Sequence, residues 1–239
     1  MLLRALAFVA LSLCAAPSWG ALAIDTASSA GCGACTSLSW SHTVSGTNRL
    51  LVVGSSGYDT ADSVTGVTYN SVSMTVIPSS STSNGNHTVS QYSLIAPSTG
   101  ANTILVSVTG QMFDLGAGAV SYTDAHQTTP FGTAVTATGT STTPSVNVSS
   151  AASEIVNDAL NILHNGTLTV GAGQTQQWQA IGGFGAIKYA GSTETGSATT
   201  TMSWTNSTSQ AWAISAVPVK PVDVAASTAR LRTLLGVGQ

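Results

Sequence analysis

From Ala21 to Val219 the chain is a succession of short runs in which apolar residues alternate with Ser and Thr, each closed by a turn signal. Ser37–Val44 shows the pattern most clearly. Leu38, Trp40, His42 and Val44 share one face, and the intervening positions are Ser or Thr, the period-two signature of a half-buried strand. Arg49–Gly54 is instead a continuous apolar run, which predicts a strand covered on both faces. Val67–Tyr69 and Val72–Ile77 flank Asn70-Ser71, a two-residue hairpin signal. Further strands are predicted at Ala21–Ala27, His87–Ile95, Asn102–Thr109, Leu115–Thr123, Thr133–Thr138, Ser145–Val148, Ile155–Leu163, Ile181–Tyr189, Ala198–Trp204 and Ala211–Val219. Ser79–Asn86 reads as a flexible tip and Asp124–Gly132 as a long corner. The paired Gly116 and Gly118 predict a close approach or a bulge. About a dozen short strands predict an all-β fold: a two-layer antiparallel β-sandwich of jelly-roll type.

Composition sharpens this picture. Charged residues make up 6% of the 239 positions, where a soluble domain usually has about 25%. Solvent-facing helices need Lys, Glu, Arg or Gln on their outer face, so helices are excluded from most of the chain. Between Ile24 and Val219 two basic residues, Arg49 and Lys188, stand against eight acidic ones. That balance excludes a nucleic-acid partner, which needs clustered Lys and Arg. No linker interrupts 24–219, which reads as one domain.

The ends differ. Residues 1–23 carry Arg4, an apolar stretch Leu6–Leu13 and a small-residue end, as a secretory signal peptide does; a retained apolar segment is the alternative. The apolar run is too short to span a bilayer comfortably, so no span is expected in the mature chain. Residues 220–239 form a tail in which Ser227–Leu235 reads either as frayed chain or as a short docking helix. In an exported protein Cys32 and Cys35 most simply close a small disulfide ring; a redox pair or part of a metal site is the alternative.

Few side chains are suited to catalysis. His42 reads as a hydrogen-bonded cross-strand residue, His87 as solvated in a hairpin, and His126 as a corner lock or an Asp124-oriented base. Glu154, Glu194, Asp114 and Asp158 are the carboxylates available to a glycoside hydrolase. Tyr58-Asp59-Thr60-Ala61-Asp62-Ser63 is the one acidic loop, either a Ca²⁺ site through Asp59 and Asp62 or a solvated loop. Trp178, in the amide-rich stretch Gln174–Gln179, is the leading candidate for a ring that stacks on sugar, with Gln176 beside it and Tyr58 second; a loop anchor tucked into the sandwich is the alternative.

Several segments occur together in a recognisable order: Leu38-Ser39-Trp40-Ser41-His42-Thr43-Val44, Asn48-Arg49-Leu50-Leu51-Val52-Val53-Gly54, Val64-Thr65-Gly66-Val67-Thr68-Tyr69-Asn70 and Tyr92-Ser93-Leu94-Ile95-Ala96-Pro97. Gln127-Thr128-Thr129-Pro130, Gly173-Gln174-Thr175-Gln176-Gln177-Trp178 and Met202-Ser203-Trp204-Thr205 follow. Across most of Ala21–Pro218 the chain resembles jelly-roll β-sandwich domains of secreted bacterial, metagenomic and phage structural proteins. The resemblance implies a fold and an extracellular or virion-surface setting, and brings no catalytic residues. The sequence therefore predicts a non-enzymatic, exported or surface-displayed sandwich that binds glycans or copies of itself. A virion decoration or tail-associated protein and a secreted glycan-active hydrolase are the alternatives.

Overall fold

The computed structural model describes residues 21–60, 63–163, 166–185 and 187–223. The chain begins with β1 (Ala23–Val44), β2 (Leu50–Tyr58), β3 (Val64–Tyr69), β4 (Val72–Ser73), β5 (Thr75–Val76), β6 (Thr82–Asn84), β7 (His87–Ile95) and β8 (Gly100–Thr123). It continues with β9 (Val135–Ser141), β10 (Ser145–Val148), β11 (Ile155–Leu163), β12 (Leu168–Val170), β13 (Thr175–Ile181), β14 (Ile187–Thr195), β15 (Thr200–Asn206) and β16 (Gln210–Val219). The fold is all-β and antiparallel, as the alternation predicts. Among the described residues no helix is long and apolar enough to cross a membrane. The leader assignment falls outside the described residues up to position 20, and so does the tail beyond position 223.

Two segments between predicted strands are themselves strand. Ala21–Ala27 and Ser37–Val44 belong to the single strand β1, and Asn102–Thr109 and Leu115–Thr123 to the single strand β8. The two pair from Ala23↔Thr123 to Val44↔Gly100 as one long ribbon. β1 occupies one edge of β8 throughout; β3 and then β2 share the other. Each of these segments supplies the other's hydrogen-bond partners, so Gly and Cys positions that look like turn residues become ladder residues.

The two-layer unit occurs twice. In the first, the ribbon bends over itself, and Leu38, Val67, Tyr69, Ile104 and Val106 pack against Leu51, Val53, Tyr92, Leu115 and Ala119. In the second, the sheet β13-β14-β11-β16-β9 faces the small sheet β10-β15-β12 across Val148, Val156, Leu160, Met202, Trp204 and Ile214. A third core joins the units, with Leu50, Val52, Val120 and Tyr122 on one side and Trp178, Tyr189, Ala213 and Val217 on the other. β2 therefore sends Leu50 and Val52 into one core and Leu51 and Val53 into another, which explains its unbroken apolar run.

The joining core contains a ring in a glycine cradle. An added Cβ on Gly118 would lie 1.9 Å from the Trp178 ring, on Gly191 2.2 Å, and on Gly54 3.1 Å. Buried amides cross the same interface. Tyr122 Oη donates to Asn157 Oδ1 at 2.9 Å, Asn157 Nδ2 to Gln91 Oε1 at 2.8 Å, and Gln91 Nε2 to the Ser215 carbonyl at 3.0 Å. Asn161 Nδ2 donates to the carbonyls of Gly57 and Thr88. Each amide is satisfied across the gap, so polar burial here fixes one docking register. Ser79–Asn86 is ordered as well: Ser80 is buried, its hydroxyl bonded to the Ile77 and Gln91 carbonyls, and β6 pairs with β7.

Asp158 lies wholly buried in the second unit, accepting from Trp204 Nε1 at 2.8 Å and from the Ser192 amide at 2.5 Å. Burial pushes its carboxyl up from 3.8 to about 7, against the pull of those donors.

Two outcomes follow from this packing. Gly118→Ala lowers stability by about 1–3 kcal/mol through overpacking, whereas Gly66→Ala, with open space around it, stays within about 0.5 kcal/mol. Denaturant midpoints check this, and equal effects would refute the cradle. For Asp158, the folded state holds a proton that the unfolded chain has already lost above pH 3.8. Its contribution to stability therefore falls as pH rises from about 4 to about 7. The difference in stability between wild type and Asp158→Asn should shrink or reverse across that window and stay level outside it.

Candidate binding cleft at the ribbon corner

The ribbon bends where its two strands lose step. Cys35 pairs with Met112 and Ser37 with Ser107, so Thr36 alone faces Val108–Gln111. Unequal lengths of this kind bend a strand pair and turn side chains outward. On β1 the corner is held by the Cys32–Cys35 disulfide, with Cα atoms 6.0 Å apart, and Ala34 between them has φ 49°. Gln111 Nε2 donates to the Ala34 carbonyl at 3.1 Å, tying the two sides together. The pairing expected from the cysteine spacing is present, and it fits an oxidising compartment.

A cleft of about 380 Å³ opens at this corner. Tyr58 and Phe113 form its apolar wall, Asp59, Thr60, Asn86 and Gln111 its polar wall, and Ala34 closes one side. Phe113 is 48% exposed and stacks on Phe184, itself 56% exposed, with centroids 4.7 Å apart and planes 23° from parallel. Tyr58 meets Phe113 edge-on at 6.0 Å and leans on His87 at 4.8 Å.

Three supports hold these rings out. Asp59 Oδ2 accepts the Phe113 amide at 2.6 Å, and the Asp59 amide donates to the Asn86 carbonyl at 3.3 Å. Asp114, wholly buried, accepts the Gly183 amide at 3.1 Å and so pins the turn that carries Phe184. Gly182 must lack a side chain there, because its Cβ would sit 1.6 Å from Asp114 Oδ1. Burial pushes the Asp114 carboxyl up to about 6, opposed by backbone donors including Gly183. Beneath Tyr58, His87 Nδ1 meets Asn161 Oδ1 at 2.9 Å.

Of the residues singled out from sequence, Tyr58 and Asp59 line this cleft and the Cys32–Cys35 bridge borders it. Trp178 does not. The expected strand Ile181–Tyr189 is a strand end, a turn through Gly182-Gly183-Phe184-Gly185 and the start of β14, and the amide-rich stretch before it is β13. A register shift between Gln176 and Trp178 turns the indole inward, where it is 5% exposed among glycines and cannot stack on a ligand. Gln176 is exposed at the far end of β13 from the Phe184 turn. Asp62 lies outside the described residues, and Asp59 directs its carboxylate at the Phe113 amide. Among the described residues no three His, Cys, Asp or Glu side chains group to hold a metal ion.

Most of the other described titratable groups have structural partners. His42 is buried, bonded to Ser28 Oγ at 2.7 Å, and burial lowers its pKa to about 4. His87, expected to be solvated, is buried, because the β6–β7 hairpin packs against the second unit and Asn161 reaches across. His126 locks its corner: Nδ1 accepts the Thr129 amide at 3.0 Å, and Nε2 faces Asp223 rather than Asp124. His164 lies outside the described residues. Glu154 accepts the Ala151 amide at 2.9 Å, whereas Glu194 lies beside Gly173 with a buried Oε2 that has no hydrogen-bond partner.

The aromatic residues Phe113 and Phe184 escaped the sequence reading, although one signal was present. A large aromatic in the middle of Gly182-Gly183-Phe184-Gly185 cannot be covered by its own turn. Compared with known proteins, the chain matches no family model, no curated protein and no solved structure.

Proposed function

We propose that the protein is a non-enzymatic, exported or surface-displayed β-sandwich that binds glycans in the corner cleft. The observation that carries this reading is the exposed ring of Phe113, backed by its stack on Phe184 and lining the cleft together with amide and carboxylate side chains. Sugar-binding sites combine these parts: a ring face takes the apolar C–H side of a pyranose, and fixed polar groups take its hydroxyls. Here Phe113 offers the ring, while Asn86, Gln111 and Asp59 offer donors and acceptors. The bridge at Cys32–Cys35 supports export, since such bonds persist in oxidising compartments. Non-enzymatic action is supported by the separate structural engagements of Asp114, Asp158 and Glu154.

A broad glycan array probed with the wild-type chain tests the proposal. Binding is expected, with a loss of about tenfold or more in Phe113→Ala, equivalent to about 1.4 kcal/mol, and an unchanged melting temperature. Silence across the array would sink the reading. Self-association is the second reading, favoured by the apolar exposure of Ile181 at 50% next to the Phe184 turn. It would replace the first if the chain forms dimers that Phe184→Ser dissociates.

A further inference from the structure

Resting on that glycan reading, we infer that the ligand is an uncharged glycan and that Asp59 is the residue that rejects acidic sugars. Among the described residues the cleft contains one ionisable carboxylate, Asp59, and its other polar lining groups are the neutral side chains of Thr60, Asn86, Gln111 and Tyr58. The described basic residues lie elsewhere. Arg49 directly precedes β2, at the opposite end from Tyr58, and bonds the carbonyls of Pro97 and Gly46. Lys220 follows β16, beside the His126 corner, and Lys188 on β14 does not line the cleft. A sialic or uronic carboxylate, or a sulfate, would meet no cation among the described lining residues and would enter close to a fixed anion. Like charges in a partly enclosed site repel, and among the described residues no Arg fork lines the cleft to offset this.

Asp59 cannot swing away. Its carboxylate holds the Phe113 amide and its own amide is held by Asn86, so the negative charge is fixed beside the stacking ring. A neutral sugar gains from the same arrangement, because a carboxylate is a strong acceptor for a hydroxyl. The charge that bars acidic sugars is therefore also the acceptor that orients neutral ones.

The test uses matched pairs on one array: neutral oligosaccharides and their sialylated, sulfated or uronic-acid counterparts. Wild type should prefer the neutral member by about tenfold or more at low salt, with the preference shrinking as salt screens the repulsion. Asp59→Asn keeps an acceptor for the Phe113 amide and should bring the two members to within about threefold. Thr60→Lys, at an exposed position, should move the preference toward the acidic member without touching the Phe113 bond. If wild type binds both members alike, or if neither substitution shifts the ratio, the assignment of Asp59 is overturned while glycan binding stands. If nothing on the array binds, the glycan reading falls and this inference with it.

Discussion

The architecture depends on the pairing of β1 with β8. Neither strand has a side-chain pattern that would carry it through its Gly-rich centre alone. Together they satisfy each other's backbone groups from Ala23↔Thr123 to Val44↔Gly100, and an unpaired buried backbone group would cost as much as a lost hydrogen bond. Because β8 gives its other edge to β3 and then to β2, bending the ribbon brings two halves of one sheet face to face. The first core is the consequence. The cleft is another, since residues at the outside of the bend cannot be buried by either half.

The joining core adds a second constraint. A sheet already covered on one face must find room for large rings on the other, and Gly54, Gly116, Gly118 and Gly191 make that room for Trp178 and Tyr189. Apolar packing of this kind is poorly directional. The chain Tyr122–Asn157–Gln91–Ser215 and the contacts of Asn161 supply direction, because a shift of one residue would leave several buried amides without partners. The corner cleft benefits, as Tyr58 and His87 are positioned by the same docking.

Much of the fold was legible from alternation alone. Strand type and the fully covered β2 follow from which positions are apolar, and the β11 strand over Ile155–Leu163 from its turn-bounded flanks and its place in the succession. The two-layer packing was expected too, but the joining of two such units was not, because a strand with Ser, Asn and Gly on one face reads as solvent-exposed when those residues in fact meet a second unit. Asn157 and Asn161 are the cases in point: polar by composition, yet buried and bonded across the interface. Trp178 allowed two readings for a related reason, and the tucked one holds. Its Gln neighbours suggested a wet loop, but a single register shift put the indole on the covered face. The cleft was half legible: Tyr58 and Asp59 stood out as an aromatic beside acids, whereas Phe113 acquires its exposure from a bend that depends on long-range register.

The scarcity of charge and the placement of the carboxylates have a common physical basis. In an exposed helix-bearing protein acidic side chains mostly face water. Here Asp25 accepts the amide of Ser45, Asp59 that of Phe113, Asp114 that of Gly183, Glu154 that of Ala151 and Asp158 that of Ser192. Bends, turns and strand ends leave amide donors that no neighbouring strand reaches, and a carboxylate is the strongest acceptor available for them. Hydroxyl-bearing strands need no charges elsewhere, so the acids remain where the backbone requires them. Asp59 differs in one respect. Its backbone duty lies at the rim of an open cleft, so a group retained for folding also stands where a ligand's hydroxyls would arrive.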